Sequence, residues 1–178
     1  MLTMDFLVVS DTHGRYQLLD TVLNNQLKLP EAFRPKHLIH LGDGVSDIEK
    51  CCCSSAFCIH KVRGNCDGFF ISHAEKEPKE RLLEFFGHKM LIMHGDAHSV
   101  KSGDLRAVEY AAKLGADVLM YGHTHMPLTY TLKKGQCVGG TVLERDMTVL
   151  NPGSLGHGGS FCVVSVNKDQ VVVSHGKI

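Results

Sequence analysis

Five strand-length apolar runs in this chain each stop at residues able to bind a metal. Phe6–Ser10 stops at Asp11-Thr12-His13, His37–Leu41 at Gly42-Asp43, and Phe57–Val62 at Arg63-Gly64-Asn65. Lys89–Met93 stops at His94-Gly95, and Val118–Tyr121 at Gly122-His123-Thr124-His125. From 11 to 43, 65, 94 and 123 the steps are 32, 22, 29 and 29 residues, most of them close to the roughly thirty residues of a strand-helix-strand unit. Strand ends that share one edge of an α/β sheet open onto a common crevice. A chain with this rhythm is therefore expected to gather its five polar ends in one place.

The segments between the runs support an α/β reading. After the polar turn Asp11–Gly14, the apolar positions Leu18, Leu19, Val22 and Leu23 fall at helical spacing. A second helix is predicted from Asp104 to Leu114, with Leu105, Val108 and Ala112 on its apolar face, Ser102 or Asp104 as N-cap and Gly115 closing it. Leu82–Phe86 and Lys89–Met93 flank Gly87-His88 and read as a hairpin. Beyond residue 127, Leu128–Leu132, Met147–Leu150, Phe161–Val166 and Gln170–Ser174 read as short strands, predicting a β-meander without helix. Alternating elements followed by strands predict two packed sheets with helices outside, a layered sandwich. The glycine-rich Asn151–Ser160 reads as a loop, with a phosphate cradle as the weaker alternative because no helical pattern follows. No repeat or linker divides the chain, so a single domain over residues 1–178 is expected.

Composition narrows the class of function. Nineteen basic and nineteen acidic residues cancel, which removes any overall pull toward nucleic acid or anionic membrane. Hydrophobic residues at 43% and charged residues at 21% suit a globular domain rather than a disordered or membrane-spanning one. The N-terminal MLTMDFLVVSD lacks the features of a secretory signal, so a cytoplasmic location is expected. Seven cysteines, three of them consecutive at Cys51, Cys52 and Cys53, suit reduced thiols better than pairing within the trio. A zinc site from Cys51, Cys53 and Cys58 is disfavoured, because no paired C-x-x-C completes a tetrahedron.

Together the strand ends supply two Asp, one Asn and four His. That oxygen and nitrogen mixture suits manganese, iron or zinc and poorly suits calcium. Seven ligands exceed the needs of one open catalytic metal and suffice for two if one carboxylate bridges. Each piece alone is more often a turn or a satisfied core histidine; the argument rests on their joint placement. Of the remaining histidines, His37, His40, His60, His73, His88, His157 and His175 are expected to be inert, while His98, four residues from His94, could reach the same cleft.

These residues resemble the calcineurin-like metallophosphoesterase superfamily, whose motifs D-x-H, G-D, G-N-H-[ED], an H-G histidine and G-H-x-H are met by Asp11-Thr12-His13, Gly42-Asp43, Gly64-Asn65-Cys66-Asp67, His94-Gly95 and Gly122-His123-Thr124-His125. Within it the chain is similar to small bacterial and archaeal phosphodiesterases of the YfcE type, down to G-N-C-D and Asn151-Pro152-Gly153-Ser154. The resemblance implies a four-layer αββα sandwich, two mixed sheets flanked by helices. It also implies that Asp11, His13, Asp43 and His125 hold one divalent metal, and that Asp43, as bridge, joins Asn65, His94 and His123 around a second. Such a pair, manganese first and iron, zinc or nickel as alternatives, would activate a bridging water for in-line attack on a phosphodiester. Asn65 would also donate to a phosphate oxygen, and Arg15 is a candidate for gripping substrate.

Cys66 departs from the superfamily pattern, which has a histidine there, so leaving-group protonation is expected to fall to His98 or Asp67 or to be weak. Asp96, where relatives often show H-G-H, reads as a turn residue, with support of a ligand histidine as the alternative. The rivals to a phosphodiesterase are a phosphomonoesterase of the same superfamily and a non-catalytic protein-binding scaffold, a use of the same fold in a retromer subunit. The expected substrate is small, with specificity from loops such as Gly68–Glu80 and Gly139–Asp146. Homo-oligomer formation is compatible with the sequence, dimers being the commonest case.

Overall fold

A computed structural model describes residues 3–68 and 77–178. Residues 69–76, which include His73 and most of the Gly68–Glu80 loop, lie outside the described residues. In chain order the elements are β1 (Met4–Val9), α1 (Tyr16–Leu27), β2 (His37–His40), β3 (Cys58–Lys61), β4 (Glu80–Phe85), β5 (His88–Met93), α2 (Leu105–Lys113) and β6 (Val118–Tyr121). They continue with β7 (Leu128–Leu132), β8 (Cys137–Val138), β9 (Thr141–Val142), β10 (Met147–Asn151), α3 (Leu155–Gly158), β11 (Ser160–Val166) and β12 (Val171–Lys177).

Two five-stranded sheets form, in the orders β12-β11-β1-β2-β3 and β4-β5-β6-β10-β7. In each, three strands run parallel, β1-β2-β3 and β5-β6-β10, and antiparallel strands flank them. Strands covered on both faces need apolar side chains on both, which is why Phe6 to Val9 and Val118 to Tyr121 are buried without alternation. One face of the first sheet (Phe6, Val8, Ile39, Leu41) packs on one face of the second (Met90, Ile92, Met120, Leu150). The outer face of the first, Leu7, Val9 and Leu38, receives Leu19, Val22 and Leu23 of α1. The outer face of the second, Leu91, Leu119 and Val149, receives Ala107, Val108 and Ala111 of α2. The expected αββα layering is what the chain adopts.

The hairpin forms one residue earlier than its predicted turn. Phe86 and Gly87 both have positive φ, 53° and 79°, the signature of a two-residue turn matched to strand twist.

Three local expectations are corrected. The last third is not a meander: β10 inserts between β6 and β7 in the second sheet, and the chain then crosses to pair β11 with β1 in the first. Local alternation marks a strand but not its partner, so the crossing left no trace in the residue pattern. The crossing is made through α3, a single helical turn inside the predicted glycine loop and too short for a periodicity to reveal. On α2 the buried face is Ala107, Val108, Ala111 and Ala112, whereas Leu105 is 63% exposed. Asp104 stands at the N-cap position, one of the two expected, but its side chain makes no cap hydrogen bond. Its carboxylate instead accepts the hydroxyls of Tyr121 (3.0 Å) and Tyr130 (2.8 Å).

Candidate metal centre

The C-terminal ends of β1, β2, β3, β5 and β6 all deliver polar residues, and the layering brings several of these to one crevice between the sheets. Asp11 and His94 are fully buried and Asp43 nearly so, while His13, His123 and His125 are partly exposed. His125 Nε2 lies 3.1 Å from Asp11 Oδ1 and 3.3 Å from His13 Nε2. His94 Nε2 lies 3.3 Å from Asp43 Oδ2 and 3.0 Å from His123 Nδ1. The two constellations converge on Asp43, which shares one cluster with His94 and His123 and another with His13 and Cys66.

The backbone is bent to achieve this. Among the described residues seven non-glycine positions have positive φ, and five of them are Asp11, His13, Asp43, His123 and His125. Left-handed backbone costs a side-chain-bearing residue on the order of 1 kcal/mol. Strain concentrated on the ligand candidates is the mark of positions selected for where their side chains point. Two glycines let the loops approach. A Cβ on Gly122 would stand 2.0 Å from Ser10 Oγ, and one on Gly64 would stand 2.1 Å from Asp43 Oδ1.

Supporting bonds orient the cluster. His94 Nδ1 donates to the Leu41 carbonyl at 2.8 Å, which turns Nε2 toward Asp43 and His123. Asp11 Oδ2 accepts from Ser10 Oγ (2.5 Å) and from the His123 backbone N–H (3.0 Å). Asp67 accepts four backbone N–H groups, those of Asp43, Gly44, Val45 and Gly64, at 2.7 to 3.1 Å. Asp47 accepts from Thr12 Oγ1 (2.7 Å) and the Gly14 N–H (2.8 Å). Asn151 Nδ2 donates to the Gly122 carbonyl at 2.8 Å, and Ser154 Oγ to the Asp11 carbonyl at 2.9 Å.

These groups fit divalent ions. Paired ring nitrogens 3.0 and 3.3 Å apart match the roughly 3 Å edges around a metal bound at about 2.0 to 2.1 Å. The described ion pairs of Asp11 and Asp43 are with histidines, without a lysine or arginine to neutralise the carboxylates. Burial opposes charge on Asp43, but His94 and the Cys66 N–H, 2.8 Å from Oδ1, outweigh it and hold the carboxyl well below its usual range. It is a ready anionic ligand.

Other expected residues stand differently. Asn65 is exposed, and its Nδ2 donates to Cys66 Sγ at 3.3 Å. Arg15 is exposed at the start of α1. His98 is not brought to the cleft: its ring packs on Tyr110 (4.8 Å between centroids), with Nε2 3.8 Å from Glu80. The reason is the turn at Gly95 and Asp96, after which the chain heads toward α2. Asp67, the other candidate proton source, is committed on both oxygens to holding the loops. Asp96 lies in that turn, 3.7 Å from Lys79 Nζ.

His157, expected to be inert, is the residue the sequence missed. It stacks on His125 (5.1 Å, 18°) and meets His13 edge-on at 5.1 Å. It follows no strand, so the rhythm of strand ends could not mark it; only the crossing through α3 sets it there.

The family model of the calcineurin-like phosphoesterase superfamily domain matches residues 4–175. The chain belongs to that superfamily. A probable metallophosphoesterase of Bacillus subtilis (strain 168), YsnB, is 31% identical over 153 residues, covering 85% of this chain and 75% of its own length. Among solved structures, a conserved uncharacterized protein described as a predicted phosphoesterase, from Streptococcus pneumoniae TIGR4, superposes with a TM-score of 0.70 at 19% identity, over 99% of this chain and 91% of its own. The wild-type Vps29 of Entamoeba histolytica, solved with zinc, has a TM-score of 0.64 at 21% identity and 98% coverage of both chains. At those identities the two structures speak for the fold alone. Membership in the superfamily supports a metal-dependent hydrolase of phosphoesters and implies divalent ions. Among the described residues, no helix is long and apolar enough to cross a membrane.

Proposed function

We propose that this metallophosphoesterase is a dinuclear phosphodiesterase. Asp11, His13, Asp43 and His125 would hold one divalent ion; Asp43, Asn65, His94 and His123 would hold the other. The observation that carries this reading is the position of Asp43 in two ligand clusters at once. When bound, the ions, manganese first and iron, zinc or nickel as alternatives, would supply Lewis acidity and lower the pKa of water.

The chain's own residues do the rest. Asp11 and Asp43 set the negative charge that attracts the ions, and the Leu41 carbonyl keeps His94 in the ligating tautomer. The Asn65 amide is assigned to a phosphate oxygen, and exposed Arg15 to the substrate's outer part. A cavity of about 320 Å³ opens beside His13, Asp43 and Cys66, the size for a small diester. Lys50, the basic residue lining it, is engaged by Asp47 at 3.1 Å, so the extra charge of a monoester finds little to grip it. The cytoplasm is proposed as the site of action because the seven cysteines are all free.

The test is hydrolysis of bis-p-nitrophenyl phosphate and p-nitrophenyl phosphate by metal-stripped protein, before and after manganese, with Asp43→Asn alongside. Diester cleavage that needs the metal and vanishes in the variant is expected. Preference for the monoester would move the reading to a phosphatase, and metal binding without turnover of either compound would move it to a scaffold.

A further inference from the structure

A second set of metal-type ligands lies away from the crevice, where the two sheets meet at their edges. β3 is the edge strand of the first sheet, and the register of β2 against β3 sets His37 beside Cys58 and Ile39 beside His60. Ile39 and Val62 point into the core between the sheets. By strand alternation His37, Cys58 and His60 share that inward face, at positions where a sandwich ordinarily continues its apolar filling. Phe6 and Phe85 form an aromatic floor under the imidazoles, at 4.9 to 6.0 Å between centroids.

The donor atoms converge. His37 Nδ1 is 3.0 Å from His60 Nε2, and Cys58 Sγ is 3.8 Å from that same nitrogen. All three lie within 4.8 Å of one another. Around a tetrahedral zinc with Zn–N of about 2.05 Å and Zn–S of about 2.3 Å, the edges are about 3.3 Å between nitrogens and about 3.6 Å between nitrogen and sulfur. The two edges at His60 match to within a few tenths of an ångström, and the third, between His37 and Cys58, is within 4.8 Å and closes by rotation of the exposed Cys58 side chain.

We propose that His37, Cys58 and His60 form a second metal site, of the two-imidazole, one-thiolate kind, which takes zinc or a similar borderline-soft divalent ion. The fourth position is open to solvent on the side of exposed Cys58. Burial lowers the affinity of both imidazoles for protons, and His60 is lowered further by His37 and Arg81. Both are therefore neutral and able to ligate. Arg81, whose charge acts on His60, is held by Glu77 at 2.9 Å and by the Lys61 carbonyl at 2.9 Å. An ion here would cross-link β2 to the edge strand β3, whose continuation carries Gly64 and Asn65 into the metal centre. The site would fasten that strand without entering the reaction.

The experiment uses the full chain, stripped of metal and reloaded with cobalt(II) or zinc, with bound metal counted by elemental analysis. The wild type is expected to hold one equivalent more than Cys58→Ser or His60→Ala. The thiolate-to-cobalt absorption band in the near-ultraviolet is expected to vanish in Cys58→Ser and persist in Cys66→Ser, which separates this site from the thiol beside Asp43. Diester hydrolysis by Cys58→Ser should match the wild type. Equal metal counts in wild type and Cys58→Ser, or a thiolate band lost only with Cys66, would overturn the proposal. Because Cys58 is exposed and serine nearly isosteric, that variant keeps the test decisive even if His60→Ala fails to fold. The count does not depend on turnover, so the outcome is independent of the phosphodiesterase reading.

Discussion

Cys66 occupies the place where the superfamily motif carries an imidazole, and the structure makes it a poor replacement. Burial, then the hydrogen bond and charge of Asp43, push its thiol up to about 11. Little thiolate exists at neutral pH, so alkylation of Cys66 by iodoacetamide at pH 7.5 in the metal-free protein should run about a hundredfold slower than that of an unstructured cysteine peptide. Mass spectrometry of the modified peptide reads the rate, and fast labelling would show that the thiol is activated. His157 lies outside the seven expected ligands, although its ring comes within 4.8 Å of ligand atoms of His13 and His125. If His157 faces the bound phosphodiester rather than a metal, its removal in His157→Ala costs one hydrogen bond and is expected to lower kcat/KM for the diester about tenfold. Metal content should be unchanged; loss of an equivalent would make it a ligand instead.

At the scale of elements, Asp104 shows how one side chain ties three of them. It precedes α2 and accepts hydroxyls from Tyr121 on β6 and Tyr130 on β7. Burial, together with the carboxylate, pushes both phenols above their ordinary range, so they stay protonated donors. Asp104→Ala leaves two part-buried hydroxyls to find water, and a loss of about 1 to 3 kcal/mol is expected by urea denaturation. Asp104→Asn keeps an acceptor and should lose less. The sequence marked Asp104 as a helix cap, the position it holds; that its side chain serves Tyr121 and Tyr130 instead depends on the position of β7, far off in sequence.

At the scale of the whole molecule, His40 links the core to pH. It is completely buried beneath the centre, with Nδ1 accepting the Gly42 N–H at 3.2 Å. Burial lowers its pKa to about 4, against the partly compensating pull of Asp67, Asp11 and Asp47. Above pH 6.5 both folded and unfolded states leave it neutral and it contributes no slope. Between about 6.5 and 4 the unfolded chain takes up a proton that the folded chain refuses, so stability falls as pH drops through that window. Urea denaturation of the metal-free protein should show this decline, and His40→Asn should flatten it.

The sandwich and the five polar strand ends were legible because both follow from local pattern. Apolar runs of strand length, helical spacing at Leu18 to Leu23, and a polar residue closing each run are short-range properties, and parallel strands within one sheet place their closures on one edge. Asp47 went unmarked, and Asp67 and His157 were misjudged, because their roles depend on which backbone or ring lies across the fold. The return of β11 to the first sheet was equally invisible, since a strand's period is the same whichever neighbour it takes. The sequence alone thus determined that side chains of metal-binding type would close the strands of a two-sheet sandwich. Only the tertiary structure decided how they divide into clusters meeting at Asp43, that His98 turns away, and that His37, Cys58 and His60 converge at the edge. Those facts rest on contacts between residues distant in the chain, and no local preference encodes them.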